Sequence, residues 1–476
     1  MSQKQKPTSL SKQLFAAWRD LPHSSPQRWF TVVALMFGGI FACTSPAYTI
    51  PDELAHTAHA WHIAKGEAIA MHFGNTSGTD LPTSFRELGK TMSNPSISVT
   101  NMMRLPLNSA QTAPEGFPNL APYSPLVYVP QAIGLQIGET FNMSVYFTFT
   151  LGRLMNLVAY VALFYWAIRL LPFGKWVAAV IGLLPMHLLL AGSMSADPVS
   201  IGMAALAVGV VLYVRDRATR INRYEYIALL GFIGALSLTK LPFPLLITLF
   251  LLLPVSVLGG TVKQRWKLLG GMAAVGLVIG AGWLLAAKSG MAPYGPVDAI
   301  VDPAAQVAHV IHHPLGFLKA AFITLVSPVS DFFMRNYVIS AGPVIAWLPM
   351  WATYVYTVFL ALSIVGIRTS SKAVLSRAQK QLVVALVVCI IIAILLLLYI
   401  SWTPVGARTV DGMQSRYFTP FLILLIPLAA GLATKLTTSS RLLSEAWLRY
   451  LPVAFLVASV IAEFYYFYHV RIQVPF

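Results

Sequence analysis

The chain alternates long apolar stretches with shorter polar ones. Apolar runs of about 16–28 residues fall near 29–45, 143–170, 176–193, 198–214, 224–239, 241–258, 267–287, 345–367, 381–400, 418–435 and 450–468. A helix needs roughly 20 such residues to cross ~30 Å of hydrocarbon. The runs are continuous rather than alternating, so helices are expected and a barrel is not. The pattern predicts an all-α integral membrane protein, a bundle of about 11 transmembrane helices, or up to 13 if marginal segments also cross.

Three polar stretches are too long for simple turns: 46–142, 288–344 and 401–417. Long connections are usually functional or disordered. The first is rich in Ser, Thr, Asn and Pro, and helical pieces at 51–64 and 124–139 flank an irregular middle. Within the second, 314–332 is apolar enough to lie in the membrane interface or to form a twelfth span, while "HVIHHP" at 309–314 reads as loop histidines. Residues 1–28 form a basic segment, expected to end in an interfacial helix around Leu14–Trp18. Residues 29–476 read as one transmembrane domain, with no internal repeat.

Composition agrees with this outline: 57% of residues are hydrophobic and only 11% are charged. The net charge of +16 first points toward nucleic acid. Its placement removes that reading. With the N-terminus in the cytoplasm, the cytoplasmic segments 1–28, 169–175, 215–225, 259–267, 368–380 and 435–449 hold 21 of the 33 Lys and Arg. Only four of the 17 acids lie there: Asp20, Asp216, Glu225 and Glu445. The positive-inside rule accounts for the excess, and no nucleic-acid partner is implied. Cys43 and Cys389 fall in different spans and offer neither a disulfide framework nor metal spacing. The first span reads as uncleaved.

The densest chemistry follows that first span, in "TSPAYTIPDELAHTAHAWHIAKG", residues 44–66. A helix start explains part of it: Thr49 as N-cap, Pro51 in the first turn, and acids facing the dipole. Asp52 and Glu53 are more than capping requires, and ionisable groups at a membrane edge are functional candidates. His56 lies about one turn further on. His59 and His62 rotate off that face, so a metal-binding trio is disfavoured and His56 is expected to orient a carboxylate. Cations follow at the outer ends of later spans: Arg153 in "TLGRLMNL", Lys240 in "LSLTKLPFP" and Arg416 in "DGMQSRYFTP". Snorkelling accounts for Lys288 and Lys319. Arg153 is too deep for it and needs an anion, and three converging cations suit a phosphate-bearing headgroup. Asp197 in "SADP" reads equally as a turn residue or as part of the site. Asp411 and Gln414 share the 401–417 loop with Arg408 and Arg416 and can pair with them.

The motifs "PDELAH", "GRLMNL", "LPMHLLLAGSMSADP", "LTK", "NYVIS" and "MQSRYFTP" resemble, in this order, a bacterial membrane-protein family long filed as a domain of unknown function, which looks like a branch of the GT-C glycosyltransferases. The resemblance covers about 29–430. It implies a GT-C-like bundle with its active site at the external face, a polyprenyl-phosphate sugar as donor, and an acid of the first external loop, Asp52 or Glu53, as base. The adjacent "DE" departs from the spaced "DxD" of the metal-dependent GT-C branch. No cofactor is required by the sequence, and a divalent cation has no support in it.

The expected function is sugar transfer from a polyprenyl-phosphate donor to a cell-envelope polysaccharide or lipid-linked glycan acceptor. Asp52 is the preferred base, with Glu53 and His56 positioning it or the acceptor. Arg153, Lys240 and Arg416 hold the lipid phosphate, Asp197 and Asp411 join the binding set, and Gln414 and Tyr417 meet sugar hydroxyls. The rivals are an O-antigen-type polymerase or ligase and a non-enzymatic flippase of lipid-linked precursors. A flippase reading expects charges at the midplane and repeated halves, which the sequence lacks.

Overall fold

The computed structural model describes residues 25–73, 76–93, 99–217, 219–292, 301–327, 350–367, 369, 374–430 and 444–465. The Leu14–Trp18 helix and the "NYVIS" motif lie outside them.

The molecule is mostly helical. Among the described residues, six helices are long and apolar enough to cross a membrane: Pro26–Thr44, Val145–Leu170, Asp197–Arg215, Val262–Gly290, Arg377–Ser401 and Glu445–Tyr465. A bent pair, Pro303–His312 and Pro314–Val326, meets at 106° and makes a seventh if taken as one broken span. Its first arm carries His309 and His312, so these histidines are helical.

Within the described residues, the other five apolar runs form shorter or broken pieces. The run at 176–193 divides into Lys175–Gly182 and Pro185–Ala191, because Pro185 has no N–H to continue the first helix. Pro242 and Pro244 bracket the start of the run at 241–258, which coils as a 3₁₀ helix, Phe243–Leu252. The run at 418–435 likewise becomes 3₁₀ at Thr419–Leu424 and then a short helix, Leu425–Ala429, with Pro420 and Pro427 interrupting it. Arg223–Ser237, at 15 residues, is about 22 Å long. Met350–Val365 is of similar length.

Helix starts follow local chemistry. Asn222 with Glu225, and Ser376 with Gln379, each close a capping box in which side chain and backbone bond reciprocally. One expectation fails here. The helix at 53–64 is capped by neither Thr49 nor any other side chain; its N-cap position is Asp52.

The segment between the first two long helices is not purely helical, a small addition to an otherwise helical molecule. It holds a three-stranded antiparallel sheet, β1 (Met71–Phe73), β2 (Thr76–Pro82) and β3 (Thr112–Gly116), with Phe73 opposite Thr76 and Gly78 opposite Gly116. Gly78 sits where a Cβ would meet the Glu115 carbonyl oxygen, so only glycine allows β3 this close. These short polar strands carry too little apolar alternation to announce themselves in an apolar chain.

Val145–Leu170 is the hub. It packs against Pro26–Thr44, Val129–Thr140 and Asp197–Arg215. Bare backbones permit one of these contacts: a Cβ on Gly134 would lie 2.7 Å from Gly152 Cα and from the Leu151 carbonyl oxygen. Small residues serve such close helix crossings in membranes. Gly134→Leu is therefore expected to destabilise the fold by about 1–3 kcal/mol, the usual cost of overpacking. A lowered unfolding midpoint in detergent checks this; an unshifted one contradicts the close crossing.

Candidate functional site

Two charge clusters are built from the predicted residues, and they differ in kind. The first is closed. Arg153 is 1% exposed and Glu53 1%. Arg153 Nε and Nη2 donate to the two Glu53 carboxylate oxygens at 2.9 and 2.7 Å. Nη1 donates to the carbonyls of Ser45 and Ala42, and Nη2 also to that of Pro46. The Tyr48 and Met194 backbone N–H groups complete the carboxylate shell at 2.9 and 3.1 Å. All five guanidinium N–H groups are thus engaged. Neither residue lines the large cavity described below. Arg153 has found its anion within the chain, so it does not face a phosphate, and Glu53 does not face an acceptor.

This pair ties three segments together. One turn after Arg153, Asn156 Nδ2 donates to the Ser193 and Ser195 carbonyls at 2.7 and 2.9 Å, and Gln131 Nε2 bonds the latter from the other side at 2.9 Å. "SMSA" is thereby fixed immediately before Asp197. A second strut acts further on: the His187 Nε2 and Thr419 Oγ1 atoms lie 3.0 Å apart, just beyond Arg416. The "GRLMNL" and "LPMH" motifs thus hold the loops that carry the second cluster.

The second cluster is open. Lys240 Nζ donates to Asp197 Oδ1 at 2.6 Å. Arg416 Nη2 donates to Asp52 Oδ2 at 2.9 Å, joining loops 364 positions apart. Arg416 Nη1 stands 3.8 Å from Asp197 Oδ2. Arg416 Nε and Nη1, and Asp197 Oδ2, are buried without a hydrogen-bond partner. Such groups are costly to bury unpaired, so they are free to accept a polar partner. The Arg416 side chain is 4% exposed, while that of Asp52 is 40% exposed. Asp52 has a left-handed backbone, φ 62°. That is uncommon outside glycine and clusters at functional sites. Its side chain bonds Arg416 instead of capping its own helix.

His56 stands beside these groups, its Nδ1 2.7 Å from the Tyr128 hydroxyl. Burial, reinforced by the Lys240 charge, pushes its pKa down to about 3, so it is neutral at ordinary pH. Burial also tends to lower Lys240, but Asp197 and Tyr123 more than offset it and the ammonium persists. Its Nζ lies 4.8 Å from the centre of the Tyr123 ring. The other two histidines turn away. His59 stacks on Phe117, and His62 meets Thr79 and Glu67. Among the described residues no group of three or more His, Cys, Asp or Glu is placed to hold a metal.

Asp52, His56, Asp197, Lys240, Gln414, Arg416 and Tyr417 share the wall of one cavity of about 1350 Å³, larger than most small-molecule sites. Leu284, Ile394, Leu397 and Leu398 supply an apolar side. Asp411 is exposed and off this wall. Lys288 is on it, so snorkelling is not its whole account. Tyr123 and Trp402 also line it, and sequence reasoning missed both; the aromatic between prolines in "APYSP" is the only local signal. The arrangement offers a partly solvated carboxylate, a guanidinium with spare donors beside a buried ammonium, and an apolar flank. It suits an amphiphilic anion together with a hydroxyl-bearing partner.

Removing one member of the closed pair strands a buried charge, which typically costs 3–5 kcal/mol. Arg153→Leu is expected to lower the unfolding midpoint or abolish folded protein, whereas Asp52→Asn should melt near the parent. Equal melting of Arg153→Leu and parent would remove the framework role.

No curated protein matches the chain, and no solved structure does. A family model described as a predicted membrane protein, DUF2142, matches residues 35–425, from the first long helix to just beyond the Arg416 loop. The chain belongs to the DUF2142 family of membrane proteins.

Proposed function

We propose that this protein is a membrane glycosyltransferase, GT-C-like in plan and inverting in outcome. It moves a sugar from a polyprenyl-phosphate donor to a cell-envelope glycan or lipid-linked acceptor. In this reading it resides in the bacterial inner membrane with its N-terminus cytoplasmic, and the reaction occurs at the external face. The observation that carries the reading is the Asp52–Arg416 contact of 2.9 Å on the wall of a cavity with an apolar flank, next to the Asp197–Lys240 pair. An inverting transfer needs one base and a cationic clamp for a departing phosphate. It does not need the two spaced carboxylates of a glycosidase.

The acceptor hydroxyl oxygen attacks the anomeric carbon and forms the new C–O bond. The bond from that carbon to the phosphate oxygen breaks, and the lipid phosphate keeps the electron pair. The hydroxyl proton goes to the Asp52 carboxylate. Arg416 and Lys240 stabilise the charge growing on the phosphate. Asp197 holds Lys240 in place. Gln414 and Tyr417 meet the sugar, and the polyprenyl chain follows the wall of Leu284, Ile394 and Leu397. His56, neutral and fixed by Tyr128, orients the Asp52 side of the cavity. Glu53 and Arg153 act only as framework.

Removal of the base at Asp52→Asn is expected to cut transfer roughly 10²–10⁴-fold, the range typical of general-base loss. Purified protein supplied with a polyprenyl-phosphate sugar and envelope glycan reads this out; full activity of the variant would end the assignment. A lipid diphosphate glycan, tried in parallel, separates a polymerase or ligase from a monophosphate-dependent transferase.

Acidity gives a second test. Burial tends to raise the Asp52 carboxyl, but Arg416 and the charges beyond it more than reverse this, so its pKa lies below the ordinary value near 3.9. The active carboxylate is present above that pKa and lost as pH falls through it. kcat/KM, which reports the free enzyme, should therefore hold level from neutral to about pH 5. An acid limb near pH 6–7 would point to a different base.

A further inference from the structure

A base held below its ordinary pKa by a cation is a weakened base, and the cation that holds it is the one assigned to the donor. The geometry of Arg416 bears on this conflict. A guanidinium offers two faces for two-point binding, Nε with Nη2 and Nη1 with Nη2, and Nη2 belongs to both. Arg153 shows the first of them in this molecule, gripping Glu53 through Nε and Nη2. In Arg416 the nitrogen already engaged is Nη2, by a single bond to Asp52, while Nε and Nη1 are buried and unpartnered. An anion that takes Arg416 at two points must share or seize Nη2. Either way it brings negative charge against the Asp52 carboxylate.

We propose that Asp52 is a placeholder on Arg416: a phosphate entering the cavity competes with it for Nη2, and the displaced carboxylate becomes the competent base only when that phosphate is in place. The exchange rests on the function proposed above for its catalytic meaning, but the competition itself is a binding property and needs no sugar transfer. It explains why the Asp52 side chain is 40% exposed while its partner is 4% exposed: the acid is at the solvent side, and the cation is fixed in the wall. It also explains the division of labour between the two carboxylates. Asp197 is buried and keeps Lys240 at 2.6 Å, with Arg416 only at 3.8 Å. It is not the one that gives way. Like charges brought to one cation favour proton capture by the weaker holder, so the arrival of the phosphate strengthens Asp52 as a base. Without the phosphate, the ion pair keeps the carboxylate occupied and unproductive.

The consequence is counter-intuitive for a residue on a binding wall: removing its charge should improve phosphate binding. Polyprenyl phosphate binding to the purified full-length protein is measured for the parent, Asp52→Asn and Asp52→Ser, with neutral polyprenol and inorganic phosphate as parallel probes. Both variants are expected to bind polyprenyl phosphate roughly two- to fivefold more tightly, the size of a partly solvated ion pair. Polyprenol affinity should not change. Tightening with inorganic phosphate as well assigns the competition to the phosphate group alone. Tightening with the lipid only assigns it to a phosphate delivered by its tail. Both outcomes uphold the exchange. Unchanged or weaker polyprenyl phosphate binding in variants that melt like the parent overturns it, as does equal tightening toward polyprenol. Loss of transfer by Asp52→Asn together with unchanged binding would leave the sugar-transfer reading standing and remove only the exchange.

Discussion

The buried pair of Glu53 and Arg153 is the constraint on which the site depends. A carboxylate and a guanidinium out of contact with water are tolerable only when every donor and acceptor is matched. Here they are, by two parallel bonds between the side chains and by backbone groups of residues 42–48 and 194. Satisfying the pair therefore brings the end of the first helix, the middle of the Val145–Leu170 hub and the loop before Asp197 to one point. The geometry of the open cluster follows. Asp52 precedes Glu53 directly, and Asp197 lies three residues beyond Met194.

The contrast between the clusters is one of completeness. Both consist of acids and bases in contact. The closed cluster has no capacity left, whereas the open one keeps two nitrogens of the Arg416 guanidinium and one carboxylate oxygen of Asp197 without partners on a cavity wall. Unsatisfied polarity in a low-dielectric wall is expensive, and that expense is a reason to expect a ligand there. Proximity of charges alone does not separate a framework from a binding site; unfilled valences on residues of a cavity wall do.

Much of this was legible in the sequence, but not evenly. The six long helices coincide with predicted runs, because uninterrupted apolar length is a strong signal. The helices at 53–64 and 129–140 lie close to the predicted pieces. The broken and 3₁₀ segments were not separable from spans, since hydropathy is blind to the prolines that divide them. The convergence of Asp52, Lys240 and Arg416 follows the expectation drawn from their positions at the ends of apolar runs, and Asp197, which the sequence reads equally as a turn residue, joins them. Arg153 was assigned to the wrong anion. Its depth correctly demanded a partner, yet nothing in linear order tells a carboxylate 100 positions away from a phosphate outside the chain. The small sheet was missed because β2 is held by backbone ladders and one glycine rather than by an apolar face.

The left-handed backbone at Asp52 limits which side chains the position accepts. A β-carbon in that region strains against its own carbonyl by about 1–2 kcal/mol, and Asp and Asn are among the few non-glycine residues that occupy it readily. Branched or bulky residues there would distort the turn as well as delete the acid, merging two effects in one substitution. Asparagine keeps the turn and removes only the charge. At this site the backbone itself thus dictates which replacement can speak about chemistry and which can speak only about shape.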